Sequence, residues 1–489
     1  MKKNALGIIL LLAGSLLTGY LWLTPSGKVP SREASENYPG GAGSVSIKPY
    51  ASFMLPSKNL AFEAKPDFHA GKALAHQPWI KAPTTTDARD GLGPLFNART
   101  CLACHVNGGR GLMPESDEQL LFHHVLRLSL PGENPVEGII PEPVYGDQLQ
   151  SQSTSLAHHL RDLTTPGNQP QSREVRPEAY VYIKWINSEY VFPDGEQISL
   201  RRPEIDLRQL AYGELHPKTL TSLRNAPPIH GMGLLQLIPQ EDIDRLIDVE
   251  DRDSDGISGR TNISWDFETG EPVPGRFGYK ANTANLRMQV AAALRNDMGI
   301  VSSIFPEQPC TGAQVACQTS IHGIDRDGLE ISEPLLRLIN NFTMSLAVPE
   351  RRKPDHPLVL AGRTHFYQAG CSRCHQPSFK TGEDPDFPHL SGQTIWPYTD
   401  LLLHDMGPGL ADGRSDYLAS GSEWRTAPLW GVGLSQAVNG SRNLLHDGRA
   451  RNVQEAILWH GGEAEAARVY FTNLTQEQRH ALVSFVRSL

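Results

Sequence analysis

Cys101-Leu102-Ala103-Cys104-His105 and Cys371-Ser372-Arg373-Cys374-His375 decide the reading of this 489-residue chain. C-x-x-C-H is the pattern at which haem c is attached: two thiols add across the vinyl groups of the porphyrin, and the adjoining imidazole is placed to bind the iron. A C-x-x-C pair alone also suits a disulfide, half of a zinc site or a thioredoxin-like dithiol. Zinc asks for two more thiol or imidazole ligands at close spacing, and a redox dithiol asks for a strand-to-helix junction in a βαβ unit. Neither context surrounds these motifs, and the pentapeptide occurs twice. The expectation is two covalent haems, with Cys101, Cys104, Cys371 and Cys374 as attachment points and His105 and His375 as proximal iron ligands.

The flanks repeat with the motifs. Phe96 stands five residues before Cys101 and Phe366 five before Cys371, each in a stretch that reads as a short helix running into the attachment site. That predicts a duplicated cytochrome module. The remaining cysteines, Cys310 and Cys317, have no following histidine and close a small loop, which reads as a structural disulfide.

A formal charge of -9 offers no basic field to a nucleic acid. Lys2 and Lys3 precede an apolar run from Ala5 to about Leu23, the layout of an export signal. The run is also long enough to span a bilayer, so residues 1–25 read either as a cleaved signal peptide or as an N-terminal membrane anchor. The protein is expected to face the periplasm, touching a membrane only through this segment.

Beyond it, residues 26–84 read as a linker and N-terminal extension, 85–350 as an elaborated first haem domain, and 355–489 as a compact second one. The expected fold is mainly α, two cytochrome c-like domains with the first enlarged by loops and a β-hairpin insertion. The hairpin is read from alternating β-formers on either side of an Asp194-Gly195 turn. At the other end, Thr475 and Gln478 make a capping box ahead of an apolar face of Leu482, Phe485, Val486 and Leu489, which reads as a C-terminal helix. Asp251, Asp253 and Asp255 followed by Gly256 begin like a calcium loop, but the twelfth position is Asn262, so an Asx-rich turn without metal stands beside the Ca2+ reading.

These residues resemble the di-haem oxidoreductase family, sometimes labelled thiol oxidoreductases and related to bacterial di-haem cytochrome c peroxidases. The resemblance runs from about residue 85 onward. It rests on GlyProLeuPheAsnAlaArgThrCysLeuAlaCysHis at 93–105, TyrGlyAspGlnLeuGln at 145–150, AspGlyIleSerGlyArg at 255–260, GlyArgPheGlyTyrLysAla at 275–281, TyrThrAspLeuLeuLeuHisAspMetGly at 398–407, TrpArgThrAlaProLeuTrp at 424–430, and the stretches around His446 and His460. It implies two haem domains, with an oxidant such as peroxide meeting one haem while the other passes electrons in. Thiols consumed as thioethers cannot cycle through disulfides, so the "thiol" label does not follow from these cysteines.

The resemblance also suggests the distal groups. His460, fourteen residues after His446, is the expected distal ligand of the second haem, with Met406 as the alternative. For the first haem, Arg276, Lys280 and Gln289 are the expected catalytic groups of a distal pocket, with Gln148 and Gln150 as further candidates. The peroxidases' glutamate after Leu286 is replaced by Arg287. A sixth protein ligand from His123, His124, His158, His159 or Met113 would instead make this haem an electron carrier only. Expected partners are an electron-donor protein, a small cytochrome or cupredoxin, and imelysin-like iron-uptake proteins; an oxidase acting on iron or on a partner protein is a further reading.

Overall fold

In the computed structural model, the described residues are 29–47, 52–85, 89–155, 175–324 and 328–489. The N-terminal apolar run, His158 and His159 lie outside them. No helix of the described residues is long and apolar enough to cross a membrane.

Six helices organise the fold: α1 (Lys65–His76), α2 (Leu286–Met298), α3 (Glu333–Met344), α4 (Pro357–Gln368), α5 (Val453–Trp459) and α6 (Gln476–Val486). Strands β1 (His124–Ser129), β2 (Tyr180–Val191), β3 (Gln197–Arg208), β4 (Leu220–Asn225), β5 (Leu403–Asp405) and β6 (Glu423–Arg425) pair antiparallel as β1 with β4, β2 with β3, and β5 with β6. The mainly-α expectation is overturned. Helix accounts for 29% and strand for 18% of the described residues, in several small sheets. Most of the strand lies between the helices of the first half, where Tyr180–Val191 and Gln197–Arg208 pair along their whole length as a two-stranded ribbon.

Two helix pairs carry the haem halves, and they are built alike. Gly71 of α1 faces α3 so closely that an added Cβ would lie 1.9 Å from the Leu338 carbonyl oxygen. Gly362 of α4 meets α6 in the same way, at 1.9 Å from the Ala481 carbonyl oxygen. Beside each glycine an aromatic pair closes the crossing, Phe68 with Phe342 at 5.3 Å and Phe366 with Phe485 at 5.1 Å between ring centroids. All four rings are buried, each contributing about 1.5–3 kcal/mol. α6 starts on the capping box of Thr475 and Gln478. The first pair therefore begins before residue 85, inside the stretch read as an extension.

The lead-in to the two motifs differs. α4 runs to Gln368 and bends at Gly370 (φ +79) straight into Cys371. Phe96, expected in a helix, instead sits in a short strand, Leu95–Phe96, paired with Gln152–Ser153. The module is duplicated in its helix pair and not in its approach to the haem.

The β2–β3 hairpin joins the halves. Near its base Val181 and Ile183 pack with Leu126, Leu128 and Tyr145 of the first half. Its tip carries Phe192 into the core of the second half beside Phe366 and Phe471. There Arg479 of α6 pairs with Asp194 at 2.6 Å and Glu196 at 2.5 Å. A second tie comes from the N-terminal segment, where fully buried Glu36 pairs with Arg351 at 2.7 Å and Arg363 at 2.9 Å. Cys310 and Cys317 are disulfide-bonded, with Cα atoms 5.8 Å apart.

Candidate haem sites

Both C-x-x-C-H motifs form one tight helical turn, Cys101–Cys104 and Cys371–Arg373. Thr100 caps the first turn by accepting the Ala103 amide at 2.9 Å. The His105 ring then donates from Nδ1 to the Pro227 carbonyl at 2.6 Å. In the second motif His375 donates from Nδ1 to the Tyr398 carbonyl at 2.9 Å. His460, at the C-terminal end of α5, donates from Nδ1 to the Ala456 carbonyl at 2.6 Å. A backbone carbonyl on Nδ1 fixes the tautomer and leaves Nε2 as the lone-pair nitrogen, the usual support of a metal-ligating imidazole. Burial holds all three rings below the ordinary histidine range, His375 at about 4, so each is neutral and able to ligate at pH 7.

Burial also pushes the Cys101 and Cys371 thiols up to about 12. Dithiols with such values are protonated at neutral pH and poor in exchange, which leaves the redox-dithiol reading without support.

A cavity of about 1080 Å³ opens between α4, α5 and the β5–β6 region. Cys371, Cys374, His375, His460 and Met406 all line it. Its walls are otherwise largely apolar, including Phe366, Leu444, Val453 and Leu482. Two cysteines, two neutral imidazoles and an apolar wall fit a covalently held porphyrin. Around Cys101 the surroundings are apolar too: it packs against the cluster of Phe96, Met288, Ala291 and Leu294, which brings α2 over the first motif.

The remaining expected residues are distributed as follows. Arg276 donates to the carbonyls of Leu235 at 3.0 Å, Gln236 at 2.5 Å and Ile238 at 2.8 Å, closing a loop. Lys280 is fully buried, donates to Asp412 at 3.0 Å, and lies 4.5 Å from the Trp424 ring centroid. Gln289 is half-buried on α2. No hydrogen bond joins the three side chains among the described residues. Gln148 donates to Asp297 at 2.7 Å, and both it and Gln150 donate to the Asn296 carbonyl, at 2.8 and 2.7 Å, near the end of α2. Arg287, where the peroxidases keep glutamate, pairs outward with Glu268 and Glu333.

His124 approaches the Met113 sulfur at 2.6 Å, and His123 donates from Nδ1 to the Ala103 carbonyl at 2.5 Å. Carboxylate oxygens of Asp251, Asp253 and Asp255 come within 4.8 Å of one another. Asp255 is also bound to Arg373 of the second motif at 2.6 Å.

His404 escaped sequence reading. It is held between Asp400 at 2.8 Å and Glu463 at 2.6 Å, with the Cys374 sulfur 3.6 Å away. Burial opposes its charge, but the two carboxylates outweigh burial and keep the ring an imidazolium. The signal available was the i, i+4 spacing of Asp400 and His404. Trp424 and His446, stacked at 3.7 Å, also line the cavity.

A family model described as "di-haem oxidoreductase, putative peroxidase" matches residues 37–489. No curated protein matches the chain. Among solved structures, hydrazine synthase from Kuenenia stuttgartiensis, pressurised with xenon, aligns at 19% identity with a TM-score of 0.23, over 32% of this chain and 56% of that one. The chain thus spans little more than half the length of that protein, and a likeness of this size carries no argument. The family match covers both motifs, both helix pairs and the cavity at the second motif, and the chain belongs to the di-haem oxidoreductases.

Proposed function

We propose that this protein is an exported, periplasm-facing di-haem c-type oxidoreductase of the peroxidase kind. The haems, when bound, would supply one-electron chemistry; in this reading His375 would hold the group on the side of an electron donor, a small cytochrome or cupredoxin, and His105 the group on the side of peroxide or a related acceptor. The observation that carries this reading is the inequality of the two sites. His375 and His460, each with Nδ1 committed to a carbonyl, line one cavity, a pairing suited to a six-coordinate electron carrier. In this reading His460 would be the second protein residue to hold that haem, with Met406 as the alternative. Around His105, α2 with Gln289 and the Gln148–Asp297 pair provide amide and carboxyl groups that can orient a small oxidant and hold a proton.

Calcium on Asp251, Asp253 and Asp255 belongs to the same proposal. The convergence of the carboxylates supports it, and the Asp255–Arg373 pair would tie the ion to the second motif. An imelysin-like partner is a proposal from family resemblance alone.

One observation favours a non-catalytic electron carrier. His123 has its Nδ1 on the carbonyl of Ala103, inside the first attachment turn, which frees its Nε2 as in the other ligand histidines. EPR and optical spectra of the ferric protein, with and without peroxide, separate the two. A high-spin signal that peroxide alters is expected; two low-spin haems inert to peroxide would overturn the enzymatic reading.

A further inference from the structure

Most buried arginines around the second site have a carboxylate. Arg224 meets Asp416 at 2.6 Å, Arg414 meets Asp416 at 2.7 Å, and Arg449 meets Asp447 at 2.7 Å. Two arginines on the cavity wall do not. Arg110, 9% exposed, donates to the Leu445 carbonyl at 3.1 Å. Arg425 donates from Nε to the Gly278 carbonyl at 2.9 Å and from Nη1 to the Thr426 carbonyl at 3.1 Å. Among the described residues neither guanidinium has a carboxylate within ion-pair distance.

Tyr279 stands with them on the wall, its hydroxyl donating to the Asn225 carbonyl at 2.8 Å. Burial lowers the Arg425 guanidinium to about 10, still protonated at pH 7. Arg110, buried, meets the Leu445 carbonyl and the Tyr279 hydroxyl, and Arg425, half-buried, meets two carbonyls; charged guanidiniums with only neutral partners on a largely apolar wall are costly, and an anion from outside the polypeptide relieves that cost. The same cavity holds Cys371 and Cys374, so the anion has to share it with whatever those thiols carry. A porphyrin brings two propionates, and guanidinium is the natural fork for a carboxylate.

We propose that Arg110 and Arg425, with Tyr279 as a positioning residue, bind the propionates of the haem attached at Cys371 and Cys374. The proposal rests on the haem reading of the second motif. Arg110 stands five residues after His105, so the loop leaving the first attachment site would grip the cofactor of the second. The clamp would set the potential of that haem, because two fixed positive charges near it favour the reduced state.

The test uses the full-length holoprotein. Pyridine haemochrome spectra count the haems first: a wild-type chain without haem at the second motif overturns the cofactor reading itself, and the clamp with it. In Arg110→Gln and Arg425→Gln, with two haems retained, the midpoint potential of the second haem should fall. That haem is identified by the EPR signal that His460→Met alters, and its propionate bands in resonance Raman should shift. Lysine at either position should restore most of the potential but not the bands, since it keeps charge and loses the fork. If the glutamine variants do not fold, the lysine variants and Tyr279→Phe still read the bands. Unchanged potentials and bands overturn the proposal, as does a change confined to the first haem. So does a saturable acetate-induced spectral shift in the wild type that Arg425→Gln abolishes while the propionate bands stay put, because the site would then take a soluble carboxylate.

Discussion

The two haem halves share one helix crossing and differ in how the chain reaches the haem. In the second half α4 delivers Cys371 within a few residues of its end, and α6 closes the same pair. In the first, α1 ends at His76 and the chain reaches Cys101 only after a short strand; β1–β4 and the long hairpin then intervene before α2 and α3 return. A compact approach leaves a cavity bounded by few elements. An elaborated one surrounds the haem with loops that bring Gln148, Gln150 and Asp297 near the cysteines. The crossing is common to both halves; what is inserted between helix and motif decides what else surrounds the motif.

The sharpest break in that comparison is to remove one attachment at a time. Cys371→Ala with Cys374→Ala should lower the covalent haem count from two to one by pyridine haemochrome and remove the EPR signal that His460→Met alters. Cys101→Ala with Cys104→Ala should instead abolish the response to peroxide. The same loss of response from both pairs would mean that the halves are functionally fused.

Next in size is the buried ion-pair cluster by which the N-terminal segment grips the second half. Glu36→Gln leaves Arg351 and Arg363 buried without their carboxylate, and a loss of about 3–5 kcal/mol is expected. It should appear as an early unfolding transition in calorimetry, reported by the second haem's absorbance. A single transition shared by both haems would show that the N-terminal segment stabilises the whole molecule equally.

Gly71→Ala and Gly362→Ala test the shared crossing directly. Each places a methyl against a backbone carbonyl, and overpacking of this kind costs about 1–3 kcal/mol. Each variant should destabilise its own half, read by chemical denaturation at the two haem bands. Equal tolerance of alanine at both positions would refute the close helix contact.

The smallest effect is a pH dependence at the junction. His230 is fully buried, stacked on Phe53 at 3.9 Å, with its Nε2 3.2 Å from the Trp430 carbonyl. Burial holds its pKa at about 4, against 6.5 for an ordinary histidine. As pH falls from about 6.5 to 4 the unfolded chain takes up a proton that the folded one refuses, so stability is lost in that window, by up to ~3 kcal/mol. His230→Phe should flatten the melting temperature between pH 7 and 5; an unchanged slope would assign the acid sensitivity elsewhere.

The two tight C-x-x-C-H turns, the disulfide, the hairpin turn and the capped C-terminal helix were legible from local pattern, because each lies within a few consecutive residues. Thr475 and Gln478 cap one turn, and Cys310 and Cys317 close a short loop. Helix content was misjudged because haem motifs suggest helices, whereas the long insertions pair as ribbons whose partners lie far along the chain. Phe96 shows this: its strand partner is Gln152. His404, Arg110 and Arg425 were missed for the same reason.

What the sequence by itself determined is the pair of C-x-x-C-H motifs and the short-range pattern around them, which the family match covers. Only the tertiary structure decided which of these face one cavity, that Arg276 and Lys280 are engaged by loop carbonyls and Asp412, and that Arg110 crosses from the first motif to the second haem's wall. Attachment depends on neighbours in sequence. Burial, charge pairing and the shape of a cavity depend on which distant segments exclude water together.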